Sequence, residues 1–131
     1  MALDYQEICR AILGLDKSIR YVGFADHLGS LLETVYREGL VPLSSKEDSA
    51  KYTERAIYLT GAASGGFHPK VGKMQYVVGR YENLIRATIP VVSGSFDKFY
   101  LMVSLDVGSD YVEIIEDKIL DFIKKNKRIF D

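Results

Sequence analysis

The sequence predicts an α/β fold of the α+β type: a five-stranded antiparallel sheet with helices on both faces, in the order α-β-β-α-β-β-β-α. Three observations carry that prediction. Three strand-like runs stand close together: Met74-Gln-Tyr-Val-Val-Gly-Arg-Tyr81, Leu84-Ile-Arg-Ala-Thr-Ile-Pro-Val-Val92 and Lys98-Phe-Tyr-Leu-Met-Val-Ser-Leu-Asp106. A helix, a hairpin and a second helix precede them, and an amphipathic helix follows. The runs are apolar on alternate residues of both faces, and such a sheet needs cover on both faces.

A chain of 131 residues is one domain, here expected to span residues 1–131. It can bury about two-thirds of its unfolded surface, so it needs no metal or disulfide to fold. Hydrophobic residues are 47% and charged residues 27%, as in ordinary globular proteins. The net charge of −1 and pI near 6.1 argue against a nucleic-acid partner, which leaves a basic footprint. Cys9 is the only cysteine, which excludes an internal disulfide and fits a reducing cytoplasm. The N-terminus lacks a charged-then-apolar leader, and no apolar run approaches the ~18 residues of a membrane span. The expectation is a cytoplasmic protein with no membrane contact.

The first helix is expected over residues 3–14, with Tyr5, Ile8, Cys9, Ile12 and Leu13 at three-and-four spacing. Cys9 on that stripe reads as a small buried hydrophobe, because no base or helix N-terminus stands beside it to make a thiolate. Residues 19–25 and 30–37 read as a hairpin, turned at Asp26-His-Leu-Gly29 with Gly29 at a positive-φ position. Ser44-Ser-Lys-Glu47 has capping-box spacing and opens the second helix. Tyr52, Ala56, Leu59 and Ala63 recur along one side of it. The helix ends before the breaker-rich stretch 64–73.

Within the three strands, Ile85, Ala87, Ile89 and Val91 share one face, as do Phe99, Leu101, Val103 and Leu105. Tyr76, Val78, Tyr100 and Met102 are expected opposite them. Asp110 is placed to cap the last helix, with Glu113 completing a second box. Val112, Ile115, Ile119, Phe122 and Ile123 form its apolar stripe. Lys124, Lys125, Lys127 and Arg128 close it, where cations suit the helix dipole.

No motif carries chemistry. Gly66-Phe-His-Pro-Lys-Val-Gly-Lys73 departs from the phosphate-loop pattern: five residues intervene instead of four, and Met74 replaces the hydroxyl. It also leaves a helix and enters a strand, the reverse of a phosphate-binding turn. Lys70 and Lys73 could still meet an anion. His27 and His68 lie in separate loops and, with Cys9 on a helix, do not form a zinc set. Asp26 beside His27 is a turn signature before it is a catalytic pair. The acids Glu113, Glu116, Asp117 and Asp121 read as a solvated helix face. No cofactor is implied.

The element order resembles that of Roadblock / dynein-light-chain domains, within the profilin-like class. Ile8-Cys-Arg-Ala-Ile-Leu13, Ile19-Arg-Tyr-Val-Gly-Phe24 with Leu28-Gly29, Glu38-Gly-Leu-Val-Pro-Leu43 and Val78-Gly-Arg-Tyr-Glu-Asn-Leu84 also resemble a family of small archaeal single-domain proteins. The Roadblock resemblance implies a non-enzymatic module that dimerises and regulates or scaffolds small GTPases or motor complexes. It implies one sheet with strands 30–37 and 74–81 at its edges. It also implies a dimer joined through the second edge with the second helices alongside. Carried onto this chain, that surface involves Tyr76, Val78 and Arg80 with Tyr52, Ala56 and Leu59. An apolar edge without proline or a run of lysines fits the same reading, since such an edge invites pairing. The expected partner is a second copy or a related chain, with a small GTPase suggested by the family analogy.

A second reading is a PAS-like sensor holding a ligand between sheet and second helix, with Thr88, Tyr100 and Met102 lining the pocket. It requires a cavity of about a few hundred Å3. A third, an enzyme of undefined class, requires His27, His68 and acids to converge in one cleft.

Overall fold

A computed structural model of the chain describes residues 4–64, 70–93 and 97–130. α1 spans Tyr5–Leu13, β1 Ile19–Asp26, β2 Leu31–Tyr36, α2 Lys46–Ser64, β3 Val77–Arg80, β4 Ile85–Ser93 and β5 Asp97–Leu105. The last helix starts as α3 (Tyr111–Glu113), widens into a π-helical stretch (Ile114–Ile119) and returns to α4 (Leu120–Lys125). A 3-10 turn, Lys127–Phe130, follows. The five strands form one antiparallel sheet in the order β2-β1-β5-β4-β3. The expected sheet, element order and outer strands are all present.

The two faces carry two cores. On one, Val22, Phe24, Ala87, Ile89, Leu101 and Val103 pack under Ile8, Cys9 and Ile12 of α1 and Ile114, Ile115 and Ile119 of the last helix. On the other, Ala25, Tyr100 and Met102 pack under Ile57 of α2. Cys9 is fully buried in the first core, and burial pushes its thiol up to about 12, with the nearby charge of Glu33 adding to the effect.

Local chemistry sets the element ends. Asp4 caps α1 by accepting the N–H groups of Gln6 and Glu7 at 3.1 and 3.2 Å. Gly29 sits at φ 92°, as the turn requires. Asp26 holds that turn by accepting the N–H groups of Leu28 and Ser30 at 2.9 and 3.0 Å.

Several expectations change. The cap of α2 is Ser45 rather than Ser44. Its Oγ accepts the Asp48 N–H at 3.0 Å, because the helix begins at Lys46 and the third helical position is therefore 48. β3 is four residues long instead of eight. The reason lies in β4: Pro90 has no N–H, and it falls where residue 75 would need a donor to extend the ladder. Tyr76 and Val78 sit on the first core's side, because Val78 pairs with Ala87. On α2 the residues facing the sheet are Thr53, Ile57 and Thr60, with Tyr52 and Ala56 half-buried beside them. In the last helix Ile114 is buried and Val112 is exposed. The π turns hold more residues each, so the apolar stripe shifts phase. Asp110 precedes that helix without a side-chain capping bond.

Asp106 ties three strands together at the end of β5. It accepts from Arg20 Nη1 at 3.0 Å and from Arg37 Nη1 and Nη2 at 2.8 and 3.2 Å. The Arg37 bonds, then those of Arg20, hold its carboxyl below the usual carboxylate range. A lowered folded value means this contribution is present above the unfolded value near pH 4 and is lost as pH falls through the folded value. Asp106→Asn is expected to cost about 1–2 kcal/mol at neutral pH, limited by solvent screening of a carboxylate that is 38% exposed. Urea unfolding at neutral and acid pH checks this: the difference from the parent should shrink as pH falls below about 4. Asp16, held low by Lys118 at 2.7 Å, leaves a residual acid slope in the variant.

Candidate functional site

The outer edge of β3 is where the fold leaves backbone groups unpaired beside exposed apolar side chains. The Tyr81 N–H donates to the Leu84 carbonyl at 2.8 Å, and Val77, Val78, Gly79 and Arg80 face Thr88, Ala87, Arg86 and Ile85. Antiparallel neighbours exchange hydrogen bonds on alternate residues. Gly79 and Val77 therefore direct their amides inward with Tyr81. Val78 and Arg80 direct theirs outward, away from the sheet.

Arg86 fixes how α2 lies against this edge. Its guanidinium stands 3.9 Å from the centroid of the Tyr52 ring and 5.3 Å from that of Tyr81. Its Nη2 donates to Ser44 Oγ at 3.0 Å. Burial pushes the Tyr52 hydroxyl up to about 12, and the neighbouring Tyr81 adds to the effect. The Tyr52 side of α2 thus faces β4 and β3. Glu54 faces the other way, against Gly29 of the β1–β2 turn. Leu59, seven residues after Tyr52, returns to the Tyr52 side of the helix and is 66% exposed.

The six residues expected at an interface fall into two groups. Tyr52, Ala56 and Leu59 run along the flank of α2 that faces β3. Val78 and Arg80 supply the outward backbone groups. Tyr76 lies just before β3, and its hydroxyl donates to Glu116 at 2.6 Å. The side chains of Tyr76 and Val78 point to the first core's face, so they do not share a side-chain surface with Tyr52 and Ala56. The strand residues on the α2 side are Val77, which is 40% exposed, and Gly79, where an added Cβ would meet the Tyr81 ring at 3.2 Å. Sequence reasoning missed Val77, Gly79, Tyr81 and Arg86. One signal was available: Arg86 is a lone charge between Ile85 and Ala87 in an apolar strand.

The residues of the sensor reading lie in the second core. Thr88, Tyr100 and Met102 are each 3–4% exposed; Tyr100 and Met102 pack with Ile57, and Thr88 faces Met102 across β4 and β5. A cavity of about 50 Å3 under the start of α2 touches Met102, Tyr52 and Arg86, and an open groove of about 230 Å3 runs along β2 beside Tyr21, Tyr36 and Lys46. Neither is lined by Thr88 or Tyr100. The smaller has room for a water or two rather than a ligand.

The groups that an enzyme would need stand apart among the described residues. His27 is exposed in its turn, and Asp26 is engaged with backbone amides. His68 lies outside the described residues with the rest of residues 65–69. Among the described residues no three His, Cys, Asp or Glu side chains are grouped to hold a metal, and no helix is long and apolar enough to cross a membrane.

No family model matches the sequence, and a search of curated proteins returns no match. Solved structures do match in fold. A Roadblock/LC7 domain from Streptomyces avermitilis is 12% identical, covers 93% of this chain and 96% of its own, and has a TM-score of 0.66. An MglB with a tetrameric arrangement is 15% identical over 95% of this chain and 86% of its own, at a TM-score of 0.68. The Myxococcus xanthus MglB is 13% identical over 100% of this chain and 96% of its own, at 0.63. The chain has the Roadblock/LC7 fold.

Proposed function

We propose that this protein is a non-enzymatic interaction and regulatory module that works as a homodimer joined through β3. The open β3 edge carries the reading: Val78 and Arg80 turn their backbone groups outward, and Leu59 is exposed on the flank of α2 that carries Tyr52. Two β3 strands brought together antiparallel would make a ten-stranded sheet, with the two α2 helices side by side over it. Leu59 and Val77 would then leave water.

The neighbours of this fold support an assembling module, one of them being described in a tetrameric arrangement. A small GTPase is the partner class that the Roadblock resemblance suggests. A buried, unpaired Cys9 suits a reducing cytoplasm.

Leu59→Asp tests the reading. Leu59 is exposed in the single chain, so the variant should keep the parent's circular dichroism. The dimer, however, would bury a carboxylate near its two-fold axis, and light scattering should report the mass of one chain. A parent-like mass for this variant would place the interface elsewhere.

A further inference from the structure

The two outer strands differ in a way that points to control of assembly. In β2 the Arg37 N–H donates to the Arg20 carbonyl at 2.8 Å, while Val35 faces Val22 and Glu33 faces Phe24. Alternation turns Val35 and Glu33 inward and Thr34 and Tyr36 outward. Yet the outward N–H of Thr34 is already engaged: Glu33 Oε1 accepts it at 3.1 Å. A bulge at Leu32, the extra residue between the Leu31–Ala25 and Glu33–Phe24 pairs, also bends the start of the strand. In β3 no such bulge interrupts the pairing.

We propose that the β2 edge is a second pairing surface for another copy of this chain, and that Glu33 keeps it shut so that assembly stops at the dimer. The inference rests on the β3 dimer of the preceding section, because a dimer joined through β3 leaves a β2 strand free at each end of its sheet. Without a guard, both ends could add further dimers into an open-ended sheet.

The surface suits self-pairing in one register. An antiparallel pair centred on Thr34 sets Thr34 against Thr34 of a second copy. It brings Tyr36 beside Leu32 of that copy, two large apolar side chains that are 37% and 38% exposed in the single chain. A register centred on Glu33 would set two carboxylates directly opposite. In the Thr34-centred pair those carboxylates are still diagonal neighbours on one face. Arg37, four residues on from Glu33 and on the same face, is held by Asp106. Glu33 therefore opposes pairing twice: it occupies the Thr34 amide and it repels its own image. Removing it leaves a free amide and an apolar pair.

Glu33→Thr removes both obstacles while keeping a strand-forming residue. Sedimentation at tens of micromolar should show the mass at least doubling relative to the parent. Glu33→Gln removes the charge but keeps an amide acceptor, so it should give a smaller increase. Adding Thr34→Cys to Glu33→Thr should give an intermolecular disulfide under mild oxidation. Opposed residues of this kind stand about 5.5 Å apart, within the range of about 4.4–6.8 Å that a disulfide bridges. A parent-like mass for both Glu33 variants, with no cross-link through the introduced thiol, would overturn the proposal. If the parent itself is a monomer, the β3 reading fails separately, and Glu33→Thr should then stop at a cross-linkable dimer.

Discussion

Phe24→Ala is expected to lower the unfolding free energy by about 3–5 kcal/mol. Phe24 is fully buried in β1 and sits at the centre of an aromatic cluster. Its ring centroid is 4.9 Å from Tyr5 in α1, 4.9 Å from Phe99 in β5 and 6.2 Å from Phe130 after the last helix. One side chain therefore joins both ends of the chain to the middle of the sheet. Truncation removes its transfer free energy and leaves a cavity that three rings on separate elements close only in part. A domain of this size has about 5–15 kcal/mol in total, so the variant should stand near the margin of folding at 37 °C. Urea unfolding followed by circular dichroism measures the loss. A loss below about 1 kcal/mol would mean that the rings close over the gap, and that the cluster is not what holds α1 and the C-terminal turn to the sheet.

Arg80→Pro is expected to raise the dimer dissociation constant about 10- to 100-fold with little change in the stability of the single chain. The Arg80 amide points out of the sheet, so proline at that position takes nothing from the β3–β4 ladder. In a two-fold dimer the lost hydrogen bond occurs twice, at about 1 kcal/mol each. Gly79→Pro is the paired control. Gly79 points its amide inward at Arg86, so proline there should weaken the single chain itself. Thermal unfolding at low concentration separates the two outcomes. Equal destabilisation by both variants would show that the outward orientation of Arg80 is not as derived.

Much of this molecule was legible in its sequence, because periodicity alone assigns strands to faces. Ile85, Ala87, Ile89 and Val91 alternate, and so do Leu101, Val103 and Leu105, and all of them reach the first core. The illegible parts have particular causes. Pro90 shortens β3 from the neighbouring strand, and a strand's length cannot be read without knowing which residue it faces. The π stretch at Ile114–Ile119 changes the helical period, which a fixed three-and-four pattern does not anticipate. The faces of Tyr76 and Val78 depended on the pairing register between β3 and β4, where a slip of one residue reverses every side chain. For the candidate site, sequence located the edge and the helix beside it. The residues that join them, Arg86 between Tyr52 and Tyr81, became evident only once β4 was seen to run between β5 and β3.

The role of Glu33 was invisible for a related reason. A glutamate in an outer strand reads as a solvated residue, and its meaning depends on which amides point outward. β2 and β3 are both outer strands of one sheet, yet in β2 one of the outward amides, that of Thr34, is covered by the Glu33 side chain. That asymmetry is what turns a set of exposed residues into a statement about assembly.

The most direct test of the central claim is the mass of the unmodified protein in solution. Sedimentation equilibrium at tens of micromolar should report twice the chain mass of 14.8 kDa. A species of 14.8 kDa that persists across that concentration range would contradict the account.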